Sequence, residues 1–217
     1  MTTRLPFPLL AVTAALLSGL ATAPAVAQTG SGPFVSAPDG TVTVYERKSQ
    51  GSYGSFEGPV TWTQSRRDWN GRSLVASTSQ GFGTQLLDPQ THGLVAQLNN
   101  AGEPSYTYDP PVAYRFPLEV GNAWSSTHQM TVHARQAVMP LVMSFKVDAV
   151  EDVSVPAGTF KAWKVVSTDS FGETQQVWVV PSLGLPTLKR INDRPASHPL
   201  GAGHLEGALA SRVLPTR

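Results

Sequence analysis

The chain has 217 residues, with 16 Lys or Arg, 15 Asp or Glu, a formal net charge of +1 and no cysteine. A chain this close to neutral lacks the electrostatic footprint of a nucleic-acid binder and the basic cluster that would hold it to anionic lipid. Without cysteine we expect neither disulfides nor a lipid-modified cysteine, so the fold must depend on its apolar core.

The first 27 residues have the pattern of a cleaved secretory signal. Arg4 is the only charged residue among them, residues 9–21 are apolar, and Ala25 and Ala27 fit the A-x-A cleavage pattern. The apolar stretch falls short of the ~20 residues that a membrane span needs, although a short membrane anchor is the alternative. We therefore predict export and cleavage after Ala27. The product would be a soluble chain, neither lipidated nor membrane-spanning, in the periplasm of a Gram-negative bacterium or secreted.

The first half of the remaining chain alternates apolar and polar residues, as half-buried strands do. In "TVTVYER" Val42 and Val44 share one face, and in "PVTWTQSRRDW" Val60 and Trp62 share one face. Asn70-Gly71 predicts a tight hairpin, because both turn residues must tolerate positive φ. Further short strands are predicted in "SLVASTS", "GTQLLD" and "GLVAQLN".

The second half contains the most regular strand, "PLVMSFKVDAV". Its alternation places five apolar residues on one face, Leu141, Met143, Phe145, Val147 and Ala149. We expect this face to be buried. Other strands are predicted in "WSSTHQMTVHARQ", "FKAWKVVSTD", "ETQQVWVV", "PTLKRI" and "EGALASRVL".

These patterns predict an all-β fold. No stretch after the signal shows a helical period over three turns. Residues 28–40 are rich in Gly, Pro and small polar residues, and we predict a flexible lead-in there. Residues 41–215 are predicted to form a single antiparallel domain, either a half-open β-barrel or a strongly curved sheet built from hairpins.

The stretch "VPAGTF" joins two of the predicted strands. Pro156 presets φ near −65° and Gly158 permits positive φ, which together favour a compact reversal. We expect Val155 and Phe160 to close the strand ends as a cross-strand apolar pair. On physical grounds alone the stretch is a turn.

Three signatures occur in order: "FPLEVGNAW" at residues 116–124, "VPAGTFKAWKV" at 155–165 and "VWVVPSLGLPTLK" at 177–189. Together they resemble a widespread, poorly characterised family of secreted bacterial β proteins, a domain of unknown function with the pattern FPLxxGxxW, VPAGTFxA and WxxPxxGxxK. The resemblance covers residues 114–191. It implies a fold similar to the half-open β-barrels of periplasmic lipoprotein carriers, and it brings no catalytic residues. Pro186 departs from the family pattern, so its strand is expected to start late or to lie at an edge.

The signature residues are turn formers and large aromatic residues, which have a structural interpretation. Gly121 and Asn122 would turn the chain, and Trp124 would pack against Phe116 or Leu118. The predicted structural set is Phe116, Pro117, Gly121, Trp124, Pro156, Gly158, Phe160, Trp178, Pro181 and Gly184.

No sequence motif indicates catalysis. The chain has no G-x-S-x-G, no H-E-x-x-H, no P-loop and no G-x-G-x-x-G after a strand. His198, His204 and Glu206 could in principle hold a zinc ion with one open position. Their segment is Gly/Pro-rich and their spacing fits no known ligand pattern, so we expect no metal, no cofactor and no catalytic residue.

Three further titratable residues also have a structural interpretation. Asp169 and Glu173 bracket a Ser-Phe-Gly turn and are expected to be solvated acids. His128 is expected to be a hydrogen-bonded histidine at the barrel rim rather than a base.

Two functions stay open. The first is a non-enzymatic binding or envelope-accessory module, a monomer whose apolar concave face takes an apolar or amphiphilic small molecule or an envelope protein. The alternative is an envelope hydrolase with an unrecognised active site. The first is favoured, because enzymes usually carry a recognisable acid/base or metal constellation.

Overall fold

The computed structural model describes residues 30–216, so the predicted signal and the cleavage after Ala27 lie outside the described residues. The strands are β1 (Val42–Gly51), β2 (Phe56–Trp69), β3 (Arg72–Ser79), β4 (Gly83–Leu87), β5 (Leu94–Leu98), β6 (Pro104–Val112), β7 (Ala123–Val132), β8 (Ala137–Val155), β9 (Gly158–Asp169), β10 (Thr174–Val180), β11 (Leu185–Arg194) and β12 (Gly203–Val213).

The strands form one closed antiparallel barrel. Each strand pairs with the next along the chain, and β1 also pairs with β12. The predicted all-β antiparallel barrel is confirmed. The barrel is closed rather than half-open, because β12 pairs along the whole of β1, from Val42 opposite Val213 to Gly51 opposite Gly203.

Helical structure within residues 30–216 is confined to two 3-10 turns, His133–Arg135 and Pro181–Leu183. No helix in this part of the chain is long and apolar enough to cross a membrane. The second turn ends at Gly184, whose φ of +62° places it in the left-handed region. β11 begins at the next residue and lies between β10 and β12, so Pro186 does not lie at a sheet edge.

The sequence predicts the hairpin between β2 and β3 but does not predict strand β6. Asn70 and Gly71 have φ of 49° and 73° and connect β2 to β3, which confirms the predicted tight hairpin. The strand predictions do not include β6, whose sequence contains Pro110 and Pro111, and proline weakens a strand pattern.

The "VPAGTF" stretch forms a two-residue turn between β8 and β9. Val155 pairs with Gly158, and Phe160 pairs with Val153. The predicted pairing of Val155 with Phe160 is therefore wrong, because the turn itself takes only Pro156 and Ala157. The backbone N–H of Ala157 donates to the carbonyl of Leu209, 3.1 Å away on β12. The end of this hairpin thus reaches across β10 and β11.

The main core surrounds the predicted face of β8. Leu141, Met143, Phe145 and Val147 are all buried, which confirms the prediction for four of its five residues, whereas Ala149 is only half-buried. The alternation ends at Val147, where the pairing with β9 shifts by one residue. Trp124 stacks on Phe145, with ring centroids 5.1 Å apart and planes 15° apart, so its direct stacking partner lies on β8. The other buried members are Leu118, Trp163, Val165, Val177 and Val179.

A second apolar cluster surrounds Trp178. The indole N–H of Trp178 donates to Glu151 Oε1 at 2.6 Å, which fixes the β8–β9 hairpin on β10. The ammonium groups of Lys164 and Lys189 lie 5.5 and 5.1 Å from the indole centre, within the range of cation–π attraction. Val155, Ala157 and Phe160 pack against this cluster, and its other buried members are Val153, Ala162, Val180, Leu185, Leu188 and Leu209.

Residues 30–40 run along one end of the barrel and bond to it. The N–H of Ser31 donates to the carbonyl of Leu118, whose own N–H donates to Ser31 Oγ. The N–H of Val35 donates to the carbonyl of Pro181 at 3.0 Å. A Cβ at Gly184 would collide with the carbonyl oxygen of Val35, so glycine lets this segment lie close to the 3-10 turn.

Candidate ligand cavity in the barrel interior

A cavity of about 140 Å³ lies inside the barrel, between β11, β12, β1 and β2 on one side and β3 and β4 on the other. Its lining follows the alternation of the strands, since Thr43, Tyr45 and Arg47 of β1 and Val60 and Trp62 of β2 face it. The shared face predicted for Val60 and Trp62 is confirmed. On β1 the cavity is lined by the face opposite Val42 and Val44. Further apolar lining comes from Leu87, Leu185 and Leu205.

Arg47, Arg190 and Arg212 line this cavity. Arg47 and Arg190 lie on either side of Gly207, which pairs with both of them across the β1–β12–β11 ladder. A Cβ at Gly207 would lie 3.5 Å from Arg190 Cγ, in ordinary van der Waals contact with that side chain. Arg212 lies on β12 opposite Thr43, at the other end of the lining.

The cavity is electropositive. Its lining contains three arginines but no Asp or Glu. Within residues 30–216 none of the three arginines is in an ion pair with a carboxylate. Burial and the neighbouring charge of Arg190 lower the pKa of Arg47, and burial lowers the pKa of Arg212. Arginine nevertheless stays charged at neutral pH.

The arginines make only neutral contacts with the protein. Arg47 donates to Ser49 Oγ and to the carbonyl of Tyr53, both at 3.3 Å, and lies 4.4 Å from the ring centre of Phe82. Arg190 Nε donates to Asn192 Oδ1 at 3.1 Å.

At the other end of the lining, Arg212 donates to the carbonyl of Leu183 through Nη1, whereas its buried Nε has no hydrogen-bond partner. A guanidinium group has five N–H donors, and the hydrogen bonds of the three arginines use only some of them. Several donors are therefore left for a ligand.

Two polar side chains meet at the cavity wall near residues 30–40. Ser36 Oγ lies 2.5 Å from His92 Nε2, and the ring of Phe34 lies 4.2 Å from the imidazole. Burial and the charge of Arg66 lower the pKa of His92. The neutral imidazole is therefore favoured at neutral pH.

A separate polar cluster surrounds Glu173, which corrects the expectation of a solvated turn acid. Its side chain is only 7% exposed and accepts hydrogen bonds from Arg194 Nε at 2.5 Å, Asn192 at 3.0 Å and Gln175 at 2.8 Å. Burial raises the pKa of Glu173, but the hydrogen bond and charge of Arg194 and the hydrogen bond from Asn192 outweigh burial and lower it. The carboxylate therefore stays ionised in an internal ion pair.

His198 completes a possible ligand group with the two acids. Atoms of Asp169, Glu173 and His198 lie within 4.8 Å of one another. Asp169 Oδ1 already accepts the N–H groups of Phe171 and Glu173, and the guanidinium of Arg194 neutralises Glu173. The donor set is thus engaged in a salt bridge and a turn, which a cation would have to displace.

His198, His204 and Glu206 do not form one site among the described residues. His204 Nδ1 lies 2.6 Å from Asp193 Oδ1, and its Nε2 lies 3.0 Å from Glu206 Oε1. These two carboxylates raise the pKa of His204. His198 lies instead in the buried group with Glu173.

His128 is buried and hydrogen-bonded at both ring nitrogens. Nδ1 lies 2.7 Å from the carbonyl of Pro110, and Nε2 lies 2.8 Å from Ser126 Oγ. Because a carbonyl can only accept, Nδ1 carries the proton and Nε2 accepts from the serine.

Gly184 is the one member of the predicted structural set that lines the cavity, and the next three residues of the third signature, Leu185, Pro186 and Thr187, line it as well. Phe116 packs against Phe34, at 5.2 Å between centroids, and precedes Pro117 through a cis peptide bond. The N–H of Gly121 donates to the carbonyl of Val147. The structural role of the signature residues stays a prediction.

The sequence matches no protein-family model and no curated protein. Among solved structures, the chain is similar to a Bacteroides fragilis protein described as exported and YmcC-like in fold, with 10% identity and a TM-score of 0.49, covering 84% of this chain and 99% of that one. It is also similar to a Parabacteroides distasonis protein described as a lipoprotein, with 10% identity and a TM-score of 0.42 over 84% and 99% of the chains. A hypothetical lipoprotein from Escherichia coli, YmcC, gives 12% identity and a TM-score of 0.44 over 84% and 90%. These identities and TM-scores are too low to transfer a function, and the family indicated by the three signatures stays a hypothesis.

Proposed function

We propose that the protein is an exported, non-enzymatic binding protein that takes an apolar or amphiphilic small molecule into its barrel. The observation that supports this is the internal cavity of about 140 Å³, whose walls combine the apolar side chains of Trp62, Leu87, Leu185 and Leu205 with many polar side chains and three arginines. Small-molecule sites are typically concave and mostly apolar, with a few polar groups that fix the orientation of the ligand.

The alternative, an envelope hydrolase, has one observation in its favour. Ser36 and His92 form a hydrogen-bonded hydroxyl–imidazole pair at the cavity wall. A nucleophilic serine also needs its base held by a third group. Among residues 30–216 no carboxylate hydrogen-bonds to the other ring nitrogen of His92, so the binding function is better supported.

The binding function is tested with N-phenyl-1-naphthylamine, a neutral apolar dye whose fluorescence rises in an apolar site. Ser77 lines the cavity, whereas the adjacent Thr78 is exposed on the opposite face of β3. We expect the wild-type protein and Thr78→Phe to bind the dye, and Ser77→Phe to lose binding because the ring fills the cavity. Circular dichroism and thermal melting establish that both variants are folded.

Equal dye binding by Ser77→Phe and Thr78→Phe, with both folded, would show that the dye binds elsewhere and would contradict the proposal. The hydrolase is tested in parallel with p-nitrophenyl butyrate. Ester hydrolysis that is present in the wild type and abolished by Ser36→Ala would favour the enzyme, whereas hydrolysis unchanged by Ser36→Ala would exclude this pair as the active site.

A further inference from the structure

We propose that the ligand is an amphiphile with one anionic head group, a carboxylate or a phosphate, which Arg47 and Arg190 hold across Gly207. This inference rests on the proposed binding function and specifies the chemistry of its ligand. It follows from the placement of the arginines, from the absence of counter-charge in the cavity lining and from the position of the apolar lining.

The first step is the placement of Arg47 and Arg190. They occupy neighbouring inward positions on β1 and β11, separated only by Gly207 on β12. On its other side, Arg47 pairs with Gly58 of β2, so glycines flank it on both neighbouring strands. No side chain of β12 stands between the two arginines at this level. Planar guanidinium groups match the paired oxygens of carboxylates and phosphates.

The second step is the missing counter-charge. Arg194, whose side chain is only 16% exposed, is paired with Glu173 inside the protein. The cavity holds three arginines and no acid. All three arginines are half-buried, and a charge that is partly withdrawn from water is stabilised by a nearby opposite charge. An anionic ligand would supply the charge that the protein does not.

The third step is the apolar lining, which favours an amphiphile over a free anion. From the level of Arg47, β1 runs through Tyr45 and Thr43 towards Arg212, with Val60 and Trp62 beside them on β2. Four residues of a strand span roughly 13 Å. A head group at Arg47 would therefore place an apolar tail along this wall.

The test compares two dyes that differ by one group. Anilinonaphthalene-8-sulfonate carries a sulfonate, which presents the same kind of anionic oxygens, and N-phenyl-1-naphthylamine is the same ring system without it. We expect the wild type to bind the sulfonate dye at least about tenfold more tightly, since hydrogen bonds to charged groups are the stronger ones. Arg47→Gln and Arg190→Gln should each remove most of this preference, measured as the ratio of the dissociation constants of the two dyes for the same variant. Arg135→Gln, which removes an equal charge from an exposed turn residue, is the matched control.

Inorganic phosphate distinguishes a free anion from a head group. We expect phosphate to displace the sulfonate dye only at concentrations far above those at which decanoate displaces it. Equal potency of phosphate and decanoate would overturn the amphiphile. Equal affinity of the two dyes for the wild type would overturn the anionic head and leave the binding function standing, whereas binding of neither dye would overturn both. The comparison of the two dyes on the wild type stands even where a variant does not fold.

Discussion

Replacing Glu173 with glutamine should destabilise the barrel strongly. The carboxylate is buried, and Arg194, whose side chain is only 16% exposed, donates to it at 2.5 Å. The substitution keeps the shape but leaves the guanidinium of Arg194 as a buried charge without a partner. Breaking a buried ion pair from one side lowers the free energy of unfolding by about 3–5 kcal/mol. In a domain of this size each kcal/mol shifts Tm by about 2–4 °C, so Tm should fall by about 6–20 °C.

The assay is urea unfolding followed by tryptophan fluorescence, arranged as a double-mutant cycle. Glu173→Gln with Arg194→Met should be less destabilised than the sum of the two single variants, because no orphan charge is left. Glu57→Gln is the control, since the Glu57–Lys48 pair is exposed and should contribute no more than about 1 kcal/mol. A loss below about 1 kcal/mol for Glu173→Gln, or strict additivity in the cycle, would refute the buried-pair interpretation.

The same pair predicts a pH dependence. The pKa of Glu173 is lowered in the folded state from its ordinary value of 4.5. Its contribution to stability is therefore complete above about pH 4.5 and is lost as the pH falls through the folded pKa. The stability difference between the wild type and Glu173→Gln should shrink on acidification from pH 6 to pH 3. A difference that stays constant over this range would show that the charge of Glu173 contributes nothing.

Two further substitutions test the core and the β8–β9 turn. Phe145→Ala should lower the free energy of unfolding by about 3–5 kcal/mol, because it removes a buried ring stacked on Trp124. The control Ser144→Ala, on the exposed face, should change it by less than about 0.5 kcal/mol. Similar urea midpoints for the two variants would contradict this packing. Gly158→Ala and Gly158→Asn should each cost about 1 kcal/mol or more and lower Tm alike, because φ of +128° lies far from the left-handed region near +57° that asparagine tolerates. A clearly milder effect of asparagine would show that the backbone relaxes into that region.

The sequence predicts the fold class and part of the core because both depend on short-range patterns. The alternation from Leu141 to Val147 defines one buried face. Asn70-Gly71 defines a hairpin because both residues tolerate the positive φ that its turn requires. Glu173 shows where such reasoning ends. Its neighbours in the chain indicate a solvated turn. Its ion-pair partner, Arg194, lies on β11, and no local sequence pattern predicts a contact between residues so far apart in the chain.

The cavity residues were missed for a different reason. Binary patterning assigns the apolar face of a strand to the interior, so Val42 and Val44 of β1 would point inward. A barrel of twelve strands encloses more space than side chains must fill, and its interior can be polar. The interior of β1 is therefore the face of Thr43, Tyr45 and Arg47. The sequence did contain one signal for the polar interior, because Arg47 lies on the same face of β1 as Thr43 and Tyr45. This face can be recognised as the interior only when the number of strands in the barrel is known.

The two charged regions of the barrel support the ligand hypothesis through their contrast. Around Arg194 the chain provides a carboxylate, an amide and a phenol, and the cation is neutralised within the protein. Around Arg47 and Arg190 it provides a hydroxyl, a carbonyl and an amide, none of which carries a charge. If these cations served stability alone, an acid at one of the many polar positions of the same wall would compensate them, as Glu173 does for Arg194. Their uncompensated charge is instead what an anion-binding site requires, because a resident carboxylate would occupy the place of the ligand.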